Sequence, residues 1–208
     1  MSEITPSADF IGLVWRYPET TISSKSILVV PTGWEAYIIL NGMLMDSKAE
    51  GSYTFTKDNF MQLGMFANLD PSQESNLGIE IAFLRNSMHQ TKWGGSSTIQ
   101  LANGNETEAK AFGSYGVKVI SARTFLMEVV GSQNFDGDAL KSIVNSFLPK
   151  SISTSISKKI VQENVSPVLL TLKTAEIANE TCAAINENLN NYGLEIIDFS
   201  VDMIMVPN

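Results

Sequence analysis

The hydrophobic pattern of the chain changes its period along the sequence, and the clearest change lies near the end. From Ala178 to Tyr192 the apolar residues Ala178, Cys182, Ile185, Leu189 and Tyr192 recur at steps of four and three, the rhythm of an amphipathic helix. Gly193 breaks that rhythm as a helix-ending glycine does. Period two follows. Ile197, Phe199, Val201, Met203 and Met205 alternate with Asp198, Ser200 and Asp202, predicting a half-buried strand that stops at Pro207.

The first half predicts short strands. Phe10–Tyr17 is an apolar run closed by Pro18, and Ser26–Val30 and Glu35–Leu40 flank Pro31-Thr-Gly33, which reads as a hairpin connection. Asn41-Gly42 signals a two-residue turn that returns the chain through Met43–Met45, and Tyr53–Phe55 extends the meander. Leu77, Ile79, Ile81 and Phe83 alternate with Gly78, Glu80 and Ala82, predicting one half-exposed strand. Met88–Trp93 and Thr98–Leu101 read as strands joined by a Gly94-Gly95-Ser96-Ser97 turn. Asn103–Glu106 is a second turn, and Ala111–Ser121 is the last strand of this half.

Helical periodicity begins near Ala122. Phe125, Leu126, Val129 and Val130 suit a short helix ending at Gly131. Asp136 or Asp138 is placed to cap the next helix, whose stripe is Ile143, Phe147, Ile152, Ile156 and Ile160. Pro149 interrupts it, predicting a kink or two consecutive helices. Ser166-Pro167 reads as a helix start, with serine as cap and proline at the first position. The expected fold class is α+β: a curved, mostly antiparallel sheet, a helical layer and a C-terminal closing strand. Residues 1–9 read as an N-terminal arm and 10–208 as a single domain, strand-rich over 10–121, helical over 122–192 and closed by a strand over 194–206.

Composition narrows the function. With 44% hydrophobic residues the chain can bury a core, and 14 basic against 22 acidic residues give a net charge of −8. That balance exerts no pull on phosphate backbones, so nucleic acid is not an expected partner. Cys182 stands alone and has no intramolecular disulfide partner. The first six residues lack the basic and apolar regions of a signal peptide, and no apolar run approaches the roughly 18 residues of a membrane span. A cytoplasmic protein is expected, peripheral at the inner face of the cell membrane if it meets a membrane at all.

Candidate chemistry is sparse. His89, the only histidine, would have to serve any nucleophile–histidine arrangement with Cys182 or a serine, yet Cys182 falls on an apolar helix stripe. One histidine and one cysteine do not make a structural zinc site. Ser155-Ile-Ser-Lys158 matches Ser-x-x-Lys without its companion motifs. Asp136-Gly-Asp138 lacks the other ligands of a calcium loop. Asp198 and Asp202 stand on the polar face of the final strand with no converging base. No catalytic, cofactor-binding or metal residues are therefore assigned, and no cofactor or small-molecule substrate is expected.

Two features suggest binding instead. Ser151, Ser153, Thr154, Ser155 and Ser157 fill the spaces between isoleucines of the second helix, and such small side chains permit close approach by a neighbour. They form a candidate self-association surface, with an ordinary exposed polar face as the competing reading. Met43, Met45, Met61 and Met65 with Phe60 and Phe66 could fill a core or line an adaptable patch.

The layout resembles the SPFH or band-seven domain of stomatins, prohibitins and flotillins, and more narrowly its soluble bacterial virion-core-protein-like branch. The resemblance rests on Ser26-Ile-Leu-Val-Val-Pro-Thr-Gly33 with Glu35-Ala-Tyr37 and Asn41-Gly42, then Gly51-Ser-Tyr-Thr54. Ile81-Ala-Phe83, Lys92-Trp93-Gly94, Ala111-Phe-Gly113-Ser-Tyr115 with Phe125, and Tyr192-Gly193-Leu194 through Phe199 to Pro207 continue it. It implies a non-enzymatic scaffold that forms homo-oligomers and organises protein partners at or near the cytoplasmic membrane. Typical members carry a membrane-inserting segment before the domain and a coiled coil after it. Only nine residues precede Phe10 and the sequence stops at Asn208, so membrane contact is expected to be indirect or to use parts outside this chain. The competing expectations are a soluble monomeric adaptor for one protein and a hydrolase using Ser155 or Cys182.

Overall fold

Thirteen strands are described, in chain order β1 (Glu3–Ile4), β2 (Val14–Arg16), β3 (Ile22–Ser23), β4 (Ile27–Val30), β5 (Trp34–Leu40), β6 (Met43–Lys48), β7 (Gly51–Thr54), β8 (Asn76–Leu77), β9 (Glu80–Arg85), β10 (His89–Gln100), β11 (Glu106–Val119), β12 (Leu194–Ile197) and β13 (Met203–Met205). The α-helices are α1 (Ala122–Phe125), α2 (Gly137–Val161) and α3 (Thr174–Leu189). The computed structural model describes residues 2–10, 12–61, 63–64, 73–130 and 137–207. The chain is α+β with largely antiparallel pairing, and it divides into two compact units. One comprises residues 1–87 and 126–137, the other 88–125 and 138–208.

In the first unit, Asn41 and Gly42 both adopt positive φ, 51° and 73°, which gives the tight hairpin between β5 and β6. The Pro31–Gly33 segment is a corner rather than a hairpin. β4 pairs with β1 and β7, whereas β5 pairs with β9 and β6, so the expected meander splits into separate small sheets. Gly33 at φ 79° makes the bend, with the Trp34 amide bonded back to the Pro31 carbonyl at 3.1 Å. The expected strand over Leu77–Phe83 also divides. Leu77 pairs with Ile22, and after Gly78 the chain enters β9 between β2 and β5, where Ile81, Ala82, Phe83 and Leu84 are all buried. A central strand covered on both faces needs no polar alternation. Ile38, Phe55, Phe60, Leu63 and Ile79 complete the core, with Phe55 and Phe60 stacked at 5.1 Å. Of the methionine cluster, Met43 and Met61 are exposed and Met45 packs on the core; Met65 and Phe66 lie outside the described residues.

In the second unit, β10 and β11 form one long antiparallel hairpin over Asn103-Gly104. Gly94-Gly95-Ser96-Ser97 is not a turn. It lies mid-strand, opposite Ala109 through Phe112. The glycines provide close approach, since a Cβ on Gly94 would come within 2.5 Å of the Phe112 ring.

The closing segment pairs with β11 twice. Ile197 stands opposite Gly116 and Met203 opposite Phe112, so six positions on one strand match four on the other and two residues are extra. Asp198 takes up the irregularity at φ 53°. Two extra residues keep the parity of the buried set: Leu194, Ile196 and Ile204 are buried in the paired parts and Val201 in the bulge, while Met203 and Met205 are exposed. The single strand predicted from odd-numbered residues is thereby corrected.

α2 runs through Pro149 as one helix of 25 residues, not two. Its buried line is Leu140, Val144, Leu148, Ile152, Ile156 and Ile160, one residue out of phase at its start from the predicted Ile143 and Phe147. The residues that could cap its N-terminus lie outside those whose side chains are described. Ser166-Pro167 opens a 3-10 turn over Pro167–Leu172, without a side-chain cap, and the long helix starts only at Thr174. It ends at Leu189 and passes into a 3-10 turn over Asn190–Tyr192, which Gly193 caps at φ 69°.

Candidate functional site

The serine-rich stretch of α2 does not present one face. Ser155 is buried; its Oγ donates to the Ser151 carbonyl at 3.1 Å and accepts from Thr181 Oγ1 of α3 at 3.0 Å. Ser153 and Ser157 turn to the sheet instead. Ser153 Oγ donates to the Thr98 carbonyl, and the Gln100 amide donates to Ser157 Oγ at 3.0 Å. Two hydroxyls thus occupy main-chain groups on the outer edge of β10, where a neighbouring strand would otherwise bond. Thr154 remains exposed and donates to the Lys150 carbonyl at 2.9 Å. A groove of about 660 Å³ follows the α2–α3 seam, lined by Ser151, Ser155, Lys158, Glu180, Ala183 and Ala184.

Sequence reasoning missed the charge cluster beside this seam. Lys159 is almost fully enclosed, and its Nζ meets Glu163 at 2.7 Å, Glu176 at 2.9 Å and Glu180 at 3.0 Å. Hydrogen bonds to Glu163 and Glu176 hold the ammonium above its ordinary range. Hydrogen bonds from Lys173 and then Lys159 hold Glu176 below the usual carboxylate range. Burial pushes Glu180 up, but Lys159 and Lys158 outweigh it and leave this carboxyl low as well. The signal was present as Lys159, Glu163, Glu176 and Glu180 at helical spacings on two segments, but only the packing of α2 on α3 brings them together.

The candidate catalytic groups do not converge. The Ser155 proton is committed to a carbonyl, and Lys158 pairs with Glu180 at 3.1 Å instead of serving the hydroxyl. Cys182 Sγ lies 3.5 Å from the Ile196 carbonyl, and burial, then the charge of Glu195, pushes its thiol up, which disfavours the thiolate. His89 stands at the start of β10 opposite Val117. Among the described residues, no hydrogen bond joins it to Cys182 or Ser155. Asp202 accepts from Ser200 Oγ at 2.9 Å, while Asp198 is exposed at the bulge. Among the described residues no three histidine, cysteine, aspartate or glutamate side chains gather as a metal site.

The model of the SPFH domain–Band 7 family matches residues 14–208, nearly the whole chain. The chain belongs to the SPFH/band-7 family. A comparison with curated proteins finds no match. Members of this family are generally scaffolds associated with membranes. In this SPFH chain no described helix is long and apolar enough to cross a bilayer.

What this SPFH chain does expose is apolar surface on its second unit. Val168, Leu169 and Leu172 of the 3-10 turn are 74%, 50% and 78% exposed. The turn packs beside β13, whose Met203 and Met205 are also exposed, as is Phe112 opposite Met203. Contiguous apolar surface of this kind marks interaction sites.

Proposed function

We propose that the chain is a non-enzymatic SPFH scaffold domain that self-associates and organises partner proteins at or near the cytoplasmic membrane. The observation that carries the reading is the exposed apolar surface formed by the Pro167–Leu172 turn, Phe112 and β13. Leaving such side chains in water forgoes about 25 cal/mol for each Å² that a partner would cover. Membrane contact is indirect or uses parts outside this chain. The reading of 10–208 as a single domain is supported by the one family match that runs through both units. Within the family, Lys92-Trp93-Gly94 and Tyr192-Gly193-Leu194 support the virion-core-protein-like branch.

Size-exclusion chromatography with light scattering over a concentration series tests the reading. A mass that rises above 22.7 kDa with concentration supports the scaffold. A monomer throughout overturns self-association and leaves the adaptor for a single partner. Labelling by a serine- or thiol-directed probe at Ser155 or Cys182 would revive the hydrolase.

A further inference from the structure

Within the second unit, α2 and β10 enclose a cleft of about 200 Å³. The two elements meet further along, where Ser153 and Ser157 bond the main chain of Thr98 and Gln100. Before that point they leave a gap. Its apolar walls are Trp93, Leu148 and Ile152, all buried, with Pro149 beside them. Gly95 is exposed, so the cleft opens to solvent. Its volume is that of roughly seven waters, enough for one substituted ring.

Four glycines lie within β10 and β11, and three are explained inside the chain. A Cβ on Gly94 would strike the Phe112 ring, one on Gly113 the Ser200 carbonyl, and one on Gly116 the Met88 sulfur. On Gly95 it would meet nothing within 4 Å, and no positive φ calls for glycine there. By strand alternation Gly95 shares a face with Trp93 and Ser97, so the side chain it lacks is what leaves the cleft open. Glycine weakens a strand interior and marks a place where a ligand or another backbone comes close. Among the described residues no backbone takes that place.

The polar groups around the gap specify the chemistry. On β11 the Ser114 and Phe112 carbonyls accept from the closing segment, so their main-chain groups point away from β10. Their partners Lys92 and Gly94 therefore turn N–H and C=O toward the outer edge, and Ser96 follows by alternation. Gly94 and Ser96 both border the cleft, and among the described residues nothing bonds these outward groups. Ser97 and Asn145 add a hydroxyl and a carboxamide, and no charged side chain lines the cleft among the described residues. We infer that the cleft binds a small, uncharged amide carried on a flat apolar ring. The ring lies over Gly95 beside Trp93, and the amide presents its acceptor and donor to the N–H and C=O of Gly94 or Ser96. A carboxylate offers acceptors only and finds no cation here. This site is separate from the scaffold reading and stands or falls without it.

Benzamide is the probe, with benzoate and toluene as the matched charged and amide-free rings. Ligand-detected saturation-transfer NMR on the full chain reads binding whatever the oligomeric state. Benzamide should bind with a Kd on the order of 1 mM, as befits so few atoms, and benzoate and toluene should bind more weakly. Gly95→Val fills the cleft from its floor and should abolish the benzamide signal while the melting temperature holds or rises. If that variant melts early, Gly95→Ala adds one methyl and should weaken binding at least about 5-fold. No benzamide signal from the wild type, or an equal signal from a folded Gly95 variant, overturns the site. Benzoate or toluene binding as tightly as benzamide overturns the amide assignment.

Discussion

Tyr115 is 2% exposed and its hydroxyl has no hydrogen-bond partner among the described residues. Burial pushes its pKa up to about 12. An unmade buried hydrogen bond is a cost, so Tyr115→Phe should leave stability unchanged or raise it by about 1 kcal/mol in urea titrations. A clear loss would show that the oxygen has a partner. Gly113 is the opposite case. A Cβ there would lie 1.9 Å from the Ser200 carbonyl and 2.9 Å from the Trp93 indole nitrogen. Neither strand can retreat without breaking its pairing, so Gly113→Ala should cost about 3 kcal/mol by the same measurement. The glycine was visible in the sequence, but its reason was not, because the carbonyl it admits lies 87 positions away (200 − 113).

At the scale of elements, Pro149 is exposed within α2 and cannot donate to the preceding turn. Pro149→Ala should therefore raise the melting temperature, with a gain of roughly 1–3 kcal/mol from the restored bond and relieved clash. The Lys159 cluster makes the α2–α3 pair sensitive to pH with a definite sign. Glu176 and Glu180 are held low, so their contribution is present above the ordinary carboxylate range and is lost as pH falls through their lowered values. Lys159 is held high, so its share persists below the ordinary lysine range and disappears only as pH rises beyond it. Denaturant melts between pH 7 and pH 3 should show falling stability, and Glu176→Gln with Glu180→Gln should flatten that slope.

Element types followed from local pattern where local chemistry determined them, as at Asn41-Gly42, Asn103-Gly104 and Gly193. They failed where a distant partner decided. Gly94–Ser97 looks like a turn until β11 is paired along it, and β9 looks half-exposed until it is placed inside its sheet, between β2 and β5, with Ile81 through Leu84 all buried. The closing strand lies one residue out of its predicted phase: Leu194 and Ile196 already face inward before the bulge, and two extra residues keep the inward side even at Ile204. Of the proposed serine surface, the residue types were legible but their directions were not. Ser155 turns to α3, while Ser153 and Ser157 turn to β10.

For the whole molecule, family membership and exposed apolar surface lead to one expectation about assembly. Leu172→Asp with Val168→Asp changes two highly exposed residues, so the monomer should keep its stability within about 0.5 kcal/mol. Any association or partner capture that uses the 3-10 turn should fall. Matched melts and sedimentation profiles would show it, and unchanged association would remove that surface from the account. Surface use of this kind has no signature in hydrophobic periodicity, because the same apolar residues would have filled a core.

The tryptophans are divided between the two units, Trp15 and Trp34 in the first and Trp93 in the second. Trp93 stacks on Phe199 at 5.3 Å, and its indole N–H donates to the Ser200 carbonyl at 3.1 Å. Light emitted by that one indole therefore reports on the attachment of the chain's last segment. With Trp15 and Trp34 replaced by phenylalanine, the protein would carry its own optical gauge of whether its final strand is seated, readable while it assembles.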